Sequence, residues 1–409
     1  KNIYNSSEEL KSIGLFKDVF NRFWVESNLP EASSTDFNVL AVDSSSRYID
    51  TGNGGIFYVV RALGITSFGA DYRRVHSDFD YCFNGDCENV IGRVMEWLEH
   101  LVALEALENG FRGFILLDGS IYGRFSHVPL ETGLSHDRGF MVKYFEDLLN
   151  LFNLARRFNV PIIGVSKMSS SSFFRNFLIG VLAVKVARES GFNVIWVRDL
   201  LNNILDRRRS ALLEVEKLPT NLKNIVREFL YRKPDFQLIL EYARSTGYTM
   251  PLLLNPPPRT LRAFKLMDRN PITFLKSAFP ISCMRDGFMD WALNVVKHIP
   301  KLPAVISFHI LPSISDVPIR VDVPAWVFGF EDGFIDFNWP IVADVDLNDI
   351  LKLISSGYCG LDNYNVWLTS VDRMVRLTRR VFENIYLPKF EDIVGRFVTS
   401  RGYRRVRYP

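Results

Sequence analysis

Two apolar runs in this chain stop at an aspartate: Asn38–Arg47 reads NVLAVDSSSR, and Phe114–Ser120 reads FILLDGS. No polar residue alternates within Val39–Val42 or Phe114–Leu117, which predicts strands buried on both faces. Such a strand demands layers of structure on either side of it, so these stretches constrain the fold more than any other. They also put Asp43 and Asp118 at strand ends, where a sheet meets solvent. If the strands are neighbours, the carboxylates converge, and close like charges force either proton uptake or a bound cation. Hard oxygen ligands of this kind suit Mg²⁺ or Mn²⁺. An Asp before Ser or Gly is also a common turn residue that caps its own backbone. Either motif alone leaves both readings open.

The rest of the chain supplies the order. Residues 1–35 read as helix, and TGNGG after Tyr48 marks a turn before two short antiparallel strands, Ile56–Ala62 and Gly64–Phe68. Glu88–Asn109 carries the clearest helical pattern, an apolar face from Val90 to Leu107 stopped by Asn109-Gly110. Gly139–Phe158 is a second helix, and Val160–Val165 a further buried strand leading to Ser166-Lys167. The order β-β-β-α-β-α-β is the ribonuclease H-like arrangement, a meander followed by parallel strands with helices on the faces. The fold class expected is therefore α/β: a ribonuclease H-like core of mixed sheet flanked by helices, with a mostly helical insertion and a C-terminal helix.

Residues 1–409 are read as a single domain, with the first part of the core at 38–170 and the helical insertion at 200–300. The second part of the core spans 303–384, and a basic tail spans 385–409. That second part holds Ala304–Ile310, Pro318–Trp326 (IRVDVPAW), Ile341–Val345, a helix at Leu347–Ser355 and one long helix at Tyr364–Asn384.

A net charge of +3 gives no global argument for a polyanion partner, so what matters is where arginines cluster: Arg207–Arg209, Arg373–Arg380 and Arg401–Arg407. The four cysteines, Cys82, Cys87, Cys283 and Cys359, are too scattered for a disulfide framework or a zinc site and read as free thiols. The N-terminal KNIYNSSEEL has no signal-peptide core, and the longest apolar run, Phe177–Val184, falls far short of a membrane span. A cytoplasmic protein without membrane association is the expectation.

A site built on Asp43 and Asp118 calls for a third carboxylate from the intervening helix. Glu99 is best placed, with Glu96 and Glu105 competing. Near the C-terminus Tyr364 sits eight residues before Asp372, and Arg373, Arg376 and Arg380 line one face of the expected helix. Asp372 and Arg376, four apart, also fit a plain surface ion pair. Arg47, Arg124 and Lys167 lie close in sequence to the strand ends, where they could meet phosphates.

In this order and spacing the sequence resembles the NurA nucleases, archaeal DNA-end-processing enzymes that work with the HerA translocase. AVDSSSR resembles their first motif, LLDGS the second, GVSK the stretch after it, and IRVDVPAW a late strand. Tyr364 and Asp372 match the C-terminal motif in spacing, except that Asp372 stands where that motif has histidine and Asn365 where proline often follows the tyrosine. The resemblance spans roughly residues 38 to 380. It implies a Mn²⁺-dependent deoxyribonuclease, with Mg²⁺ as the alternative ion, forming a homodimer around a DNA channel. It further implies 5′-to-3′ exonuclease and single-strand endonuclease activity on single-stranded DNA and duplex ends, feeding strand exchange in double-strand break repair, with a HerA-type hexameric translocase as partner. Carried onto this chain, the catalytic set is Asp43, Glu99, Asp118, Tyr364 and Asp372. Asp43, Asp118 and Asp372 become the metal ligands, and Arg47, Arg124, Lys167, Arg373 and Arg376 the DNA contacts. Two other functions fit the motifs less well: an actin-like, ribonuclease H-like ATPase, and a non-catalytic adaptor that docks a translocase.

Overall fold

A computed structural model describes residues 15–30, 37–81, 87–206, 209–229, 233–395 and 398. Arg207, Arg208, Cys82 and the Arg401–Arg407 tail lie outside the described residues.

Strands β1 (Trp24–Glu26), β2 (Val39–Asp50), β3 (Gly55–Thr66), β4 (Asp71–Tyr81), β5 (Phe114–Asp118) and β6 (Ile162–Lys167) precede a long, mainly helical stretch. From it return β7 (Gly247–Thr249) and β8 (Leu252–Leu253), and β9 (Val305–Leu311), β10 (Ile319–Pro324) and β11 (Ile341–Val342) follow. Among the described residues these form one mixed sheet in the order β1-β7-β9-β10-β6-β5-β2-β3-β4, with β8 also paired to β9 and β11 to β8. Only the β2–β5 and β5–β6 pairs are parallel. The protein is thus an α/β fold with a mixed sheet flanked by helices.

β2 does not end at Asp43. It pairs antiparallel with β3 from Leu40 to Asp50, while its parallel pairing with β5 stops at Val42↔Leu117. Asp43 therefore stands where one neighbour ends and the other continues. Three serines in a row break no strand, since each can bond on its own face. β3 is one strand, where two short ones were expected. β4 carries little apolar signal because it is the sheet's edge, a polar strand with only Asp80 fully buried. At the N-terminus the helix covers only Leu15–Arg22 among the described residues, and Trp24–Glu26 pairs with β7 as a strand.

Alternation along the strands separates two cores. Leu40, Val42, Ile115 and Leu117 pack under the helices Cys87–Glu108 and Phe140–Arg157. Val39, Ala41, Leu116, Ile163 and Val165 face the other way, against Asn348–Gly357 and Val366–Val375. Each fully buried Leu, Ile or Val side chain contributes about 1.5–3 kcal/mol.

The expected long helix from Tyr364 to Asn384 is broken. Val366–Val375 ends at Arg376, whose ψ of 114° is extended, and a new turn capped by Thr378 leads into a π-helical segment, Phe382–Tyr386. The cause is tertiary: the Leu377 backbone docks on β2, its N–H donating to Ser45 Oγ at 3.0 Å and its carbonyl accepting from Arg47 Nε at 3.1 Å. Phe57 of β3 then stacks on Phe390 at 4.1 Å. Arg373, Arg376 and Arg380 thus do not share one helical face. Cys283 and Cys359 are free, but Cys87 is disulfide-bonded, contrary to the expectation of free thiols. Among the described residues no helix is long and apolar enough to cross a membrane.

Candidate active site

The parallel register that aligns Val42 with Leu117 brings the next residues, Asp43 and Asp118, side by side at the end of β5. Both side chains share the parity of Ala41 and Leu116, so they lie on the face covered by the Val366–Val375 helix. Lys167 ends β6 with the parity of Val165 and joins them, its Nζ 3.6 Å from Asp118 Oδ2 and 4.3 Å from the centre of the Tyr364 ring.

The turn after Asp118 is built for close approach. Gly119 has φ of +114°, a conformation that favours glycine, and opposite it any Cβ at Gly164 would crowd the Gly119 carbonyl at 2.7 Å. Ser120 caps the short helix that follows, accepting from Gly123 N–H at 2.9 Å, and donates to Asp322 Oδ2 at 2.7 Å. Asp322 also accepts from Tyr122 N–H at 3.2 Å and is clamped by Arg320 through two bonds of 2.9 Å. This buried pair on β10 anchors the loop that carries Asp118. Sequence reasoning missed its role; the signal was the only charged alternation, Arg-x-Asp, inside the apolar run IRVDVPAW.

Glu99 approaches from the opposite face of the sheet. It is 4% exposed, accepts a hydrogen bond from Ser44 Oγ and pairs with Arg124 Nη2. Ser44, next to Asp43 but of opposite parity, is thus the link between the two carboxylates. The competing glutamates are engaged elsewhere. Glu96 binds His127 at 3.0 Å, Tyr144 at 2.7 Å and Arg93 at 3.1 Å, and Glu105 pairs with Arg74 at 2.9 Å.

Asn365, where proline was expected, caps the Val366–Val375 helix by accepting from Leu368 N–H at 3.0 Å. Leu368, Val371 and Val375 bury one side of that helix, and Asp372 stands exposed beside them. No ion pair joins Asp372 to Arg376, because the helix has ended before Arg376. The Tyr364 hydroxyl is buried and faces Asp118 without completing a hydrogen bond of good geometry.

The electrostatics reflect this crowding. Burial, then Glu99, Asp118 and Asp372, push the Asp43 carboxyl up to about 8 despite a bond from Ser44 N–H. Burial raises Asp118, with Lys167 and Tyr364 pulling it back. Glu99 is raised by burial against the pull of Arg124. Burial and the nearby Asp118 push the Tyr364 phenol up as well. Among the described residues no three His, Cys, Asp or Glu side chains already form a metal cage. The donor chemistry nonetheless fits a hard cation: carboxylates lifted by burial and, at Asp43, by the neighbouring charges, with the Tyr364 hydroxyl on the same face.

The basic residues divide. Lys167 is at the cluster. Arg47 is exposed, with its Nε used to hold Leu377. Arg124, expected at a phosphate, is 3% exposed and committed to Glu99, His100 and the Glu96 carbonyl, so it has no surface to offer DNA. Arg373 and Arg376 are exposed near the end of the Asp372 helix.

Several solved structures resemble the chain over nearly its full length at low identity. The NurA nuclease from Sulfolobus solfataricus is 17% identical with a TM-score of 0.49, the match covering 96% of this chain and 93% of that one. A structure of NurA bound to dAMP and manganese is 14% identical with a TM-score of 0.40, covering 93% of each chain. No curated protein matches significantly. The family model for the NurA domain matches residues 37–377, a span that starts two residues before β2 and ends at the Leu377 docking point, taking in every site residue described above. The chain belongs to the NurA family.

Proposed function

We propose that this protein is a metal-dependent deoxyribonuclease that resects DNA ends. The observation that carries the reading is the side-by-side placement of Asp43 and Asp118, with Asp372, Tyr364 and Lys167 on the same face and Glu99 behind Ser44. Family membership supports phosphodiester hydrolysis, and the related structure solved with dAMP and manganese makes Mn²⁺ the natural ion, with Mg²⁺ as its hard-ligand alternative. The strand sequence β4-β3-β2-β5-β6, an antiparallel meander followed by parallel strands, supports a ribonuclease H-like core continued by the segments around 303–384.

In this reading Asp43, Asp118 and Asp372 hold the metal. A divalent ion there would lower the pKa of an attacking water and stabilise charge on the leaving oxygen. Glu99, kept in place by Arg124 and Ser44, sets the charge behind Asp43. Lys167 offers its ammonium to a phosphate oxygen beside Asp118, and its packing on the Tyr364 ring limits where that ammonium can go. Tyr364 turns its buried hydroxyl toward Asp118, where it helps position that carboxylate. Arg47, Arg373 and Arg376 lie exposed where a strand could be drawn toward the cluster.

We carry the wider biology in the same reading: 5′-to-3′ exonuclease and single-strand endonuclease activity, a homodimer, and cooperation with a HerA-type hexameric translocase in double-strand break repair. A divalent-ion titration of cleavage on end-labelled single- and double-stranded DNA tests the core of it. Cleavage should rise with Mn²⁺ and vanish in excess chelator, and cleavage in chelator refutes it.

A further inference from the structure

Two hollows outside the carboxylate cluster adjoin one another. The first, about 560 Å³, is bordered by Tyr122 and by Ser170, Ser172 and Phe173, which follow directly on the loops leaving Asp118 and Lys167. Its far wall holds Phe229, Arg209 and Trp339. The second, about 760 Å³, lies between the helices Leu15–Arg22, Phe173–Glu189 and Val194–Leu205, and Trp339 lines it too. Arg22, Lys185, Arg188 and Arg198 rim it against only Asp18 and Glu189. These four basic residues and Arg209 are exposed, and none is in an ion pair with a described residue.

Trp339, at the junction, is held deliberately. It stacks on Phe229 with ring centres 6.0 Å apart and planes 14° from parallel. Gly180 makes room for it, since a Cβ there would run into the indole. A half-buried indole fixed in this way, with unpaired cations on both sides, has the make-up of a single-strand track: aromatic faces for bases, positive charge for the backbone.

We propose that this groove, on the face of the sheet opposite the carboxylate cluster, binds single-stranded nucleic acid running from the loops that follow β5 and β6 past Trp339 to the Arg198 and Lys185 rim. The inference rests on the nuclease reading for the identity of its occupant. The rim's charge suits a phosphate backbone, and the loops that leave Asp118 and Lys167 supply one wall of the groove through Tyr122, Ser170, Ser172 and Phe173.

The test measures binding of a labelled oligothymidylate to the full chain in chelator, where nothing is cleaved, across a salt series. Replacing Trp339→Ala should weaken binding by about 5- to 150-fold, the range expected for one lost stacking partner. The double variant Lys185→Ser, Arg198→Ser, on exposed positions that do not endanger folding, should flatten the salt dependence by about 0.7 per lost phosphate contact. Both variants should cleave a minimal dinucleotide substrate in Mn²⁺ at the wild-type rate. Binding and salt slope unchanged in both variants, or no oligothymidylate binding by the wild type, overturns the proposal and leaves the rim to an acidic protein partner. Should the wild type cleave no DNA while the variants still lose oligonucleotide binding, the nuclease reading falls and the groove stands.

Discussion

Replacing Asp43 with Asn should stabilise the metal-free protein, and by an amount that depends on pH. In the folded chain the Asp43 carboxyl is pushed from 3.8 up to about 8, by burial first and then by Glu99, Asp118 and Asp372. The unfolded chain gives up this proton near pH 4, whereas the folded chain keeps it to about 8. The folded state therefore binds more protons between those values, and stability falls as pH rises through that window. At about 1.4 kcal/mol per pKa unit, the penalty at pH 7 is on the order of 4 kcal/mol. Part of it is shared with Glu99 and Asp118, so roughly 2–4 kcal/mol is expected to return in Asp43→Asn at pH 7 or 8, and almost nothing at pH 4. Asn keeps an oxygen for the 2.7 Å bond from Ser44 N–H, so little else is lost. Denaturant unfolding in chelator at pH 4, 6 and 8 measures this directly. Added Mn²⁺ should stabilise the wild type far more than the variant. Identical pH profiles for the two proteins would refute the crowded-carboxylate account.

Three further outcomes follow from the same geometry. Arg124→Met leaves Glu99 buried without its cation and should cost about 3–5 kcal/mol in chemical denaturation, which a solvent-facing phosphate contact would not. Asp372→Asn should lower Mn²⁺ affinity in calorimetry by at least about tenfold, since even residues behind a ligand shell cost that much, and unchanged affinity removes Asp372 from the site. Asn365→Ala removes the helix cap and should cost about 1 kcal/mol in unfolding while weakening Mn²⁺ binding; a stability loss with intact binding would separate the cap from the site.

The positions of Asp43 and Asp118 were legible because a doubly buried strand has an unmistakable composition and its first polar residue marks where the doubly buried stretch stops. What the pattern could not show is that β2 ends on one side only, since Ser44–Asp50 pair with β3 after β5 has stopped. The β4 edge was invisible for the same reason that it is soluble: DYRRVHSDFDY alternates nothing apolar for long. The helix break at Arg376 has no local signal at all, for its cause lies some 330 residues away in Ser45 and Arg47. Arg124 shows the limit most clearly. Its closeness in sequence to Asp118 suggested a phosphate contact, but only the packing of the Cys87–Glu108 helix against it reveals a buried partner in Glu99.

The central claim is that Asp43 and Asp118 hold a catalytic metal, and one measurement bears on it most directly. Mn²⁺ binding and cleavage of end-labelled DNA are followed together in the wild type, Asp43→Ala and Asp118→Ala, each shown to be folded. The account predicts that the wild type binds Mn²⁺ and cleaves, and that either substitution weakens binding and abolishes cleavage. Full cleavage by both variants, or by the wild type in excess chelator, would contradict it.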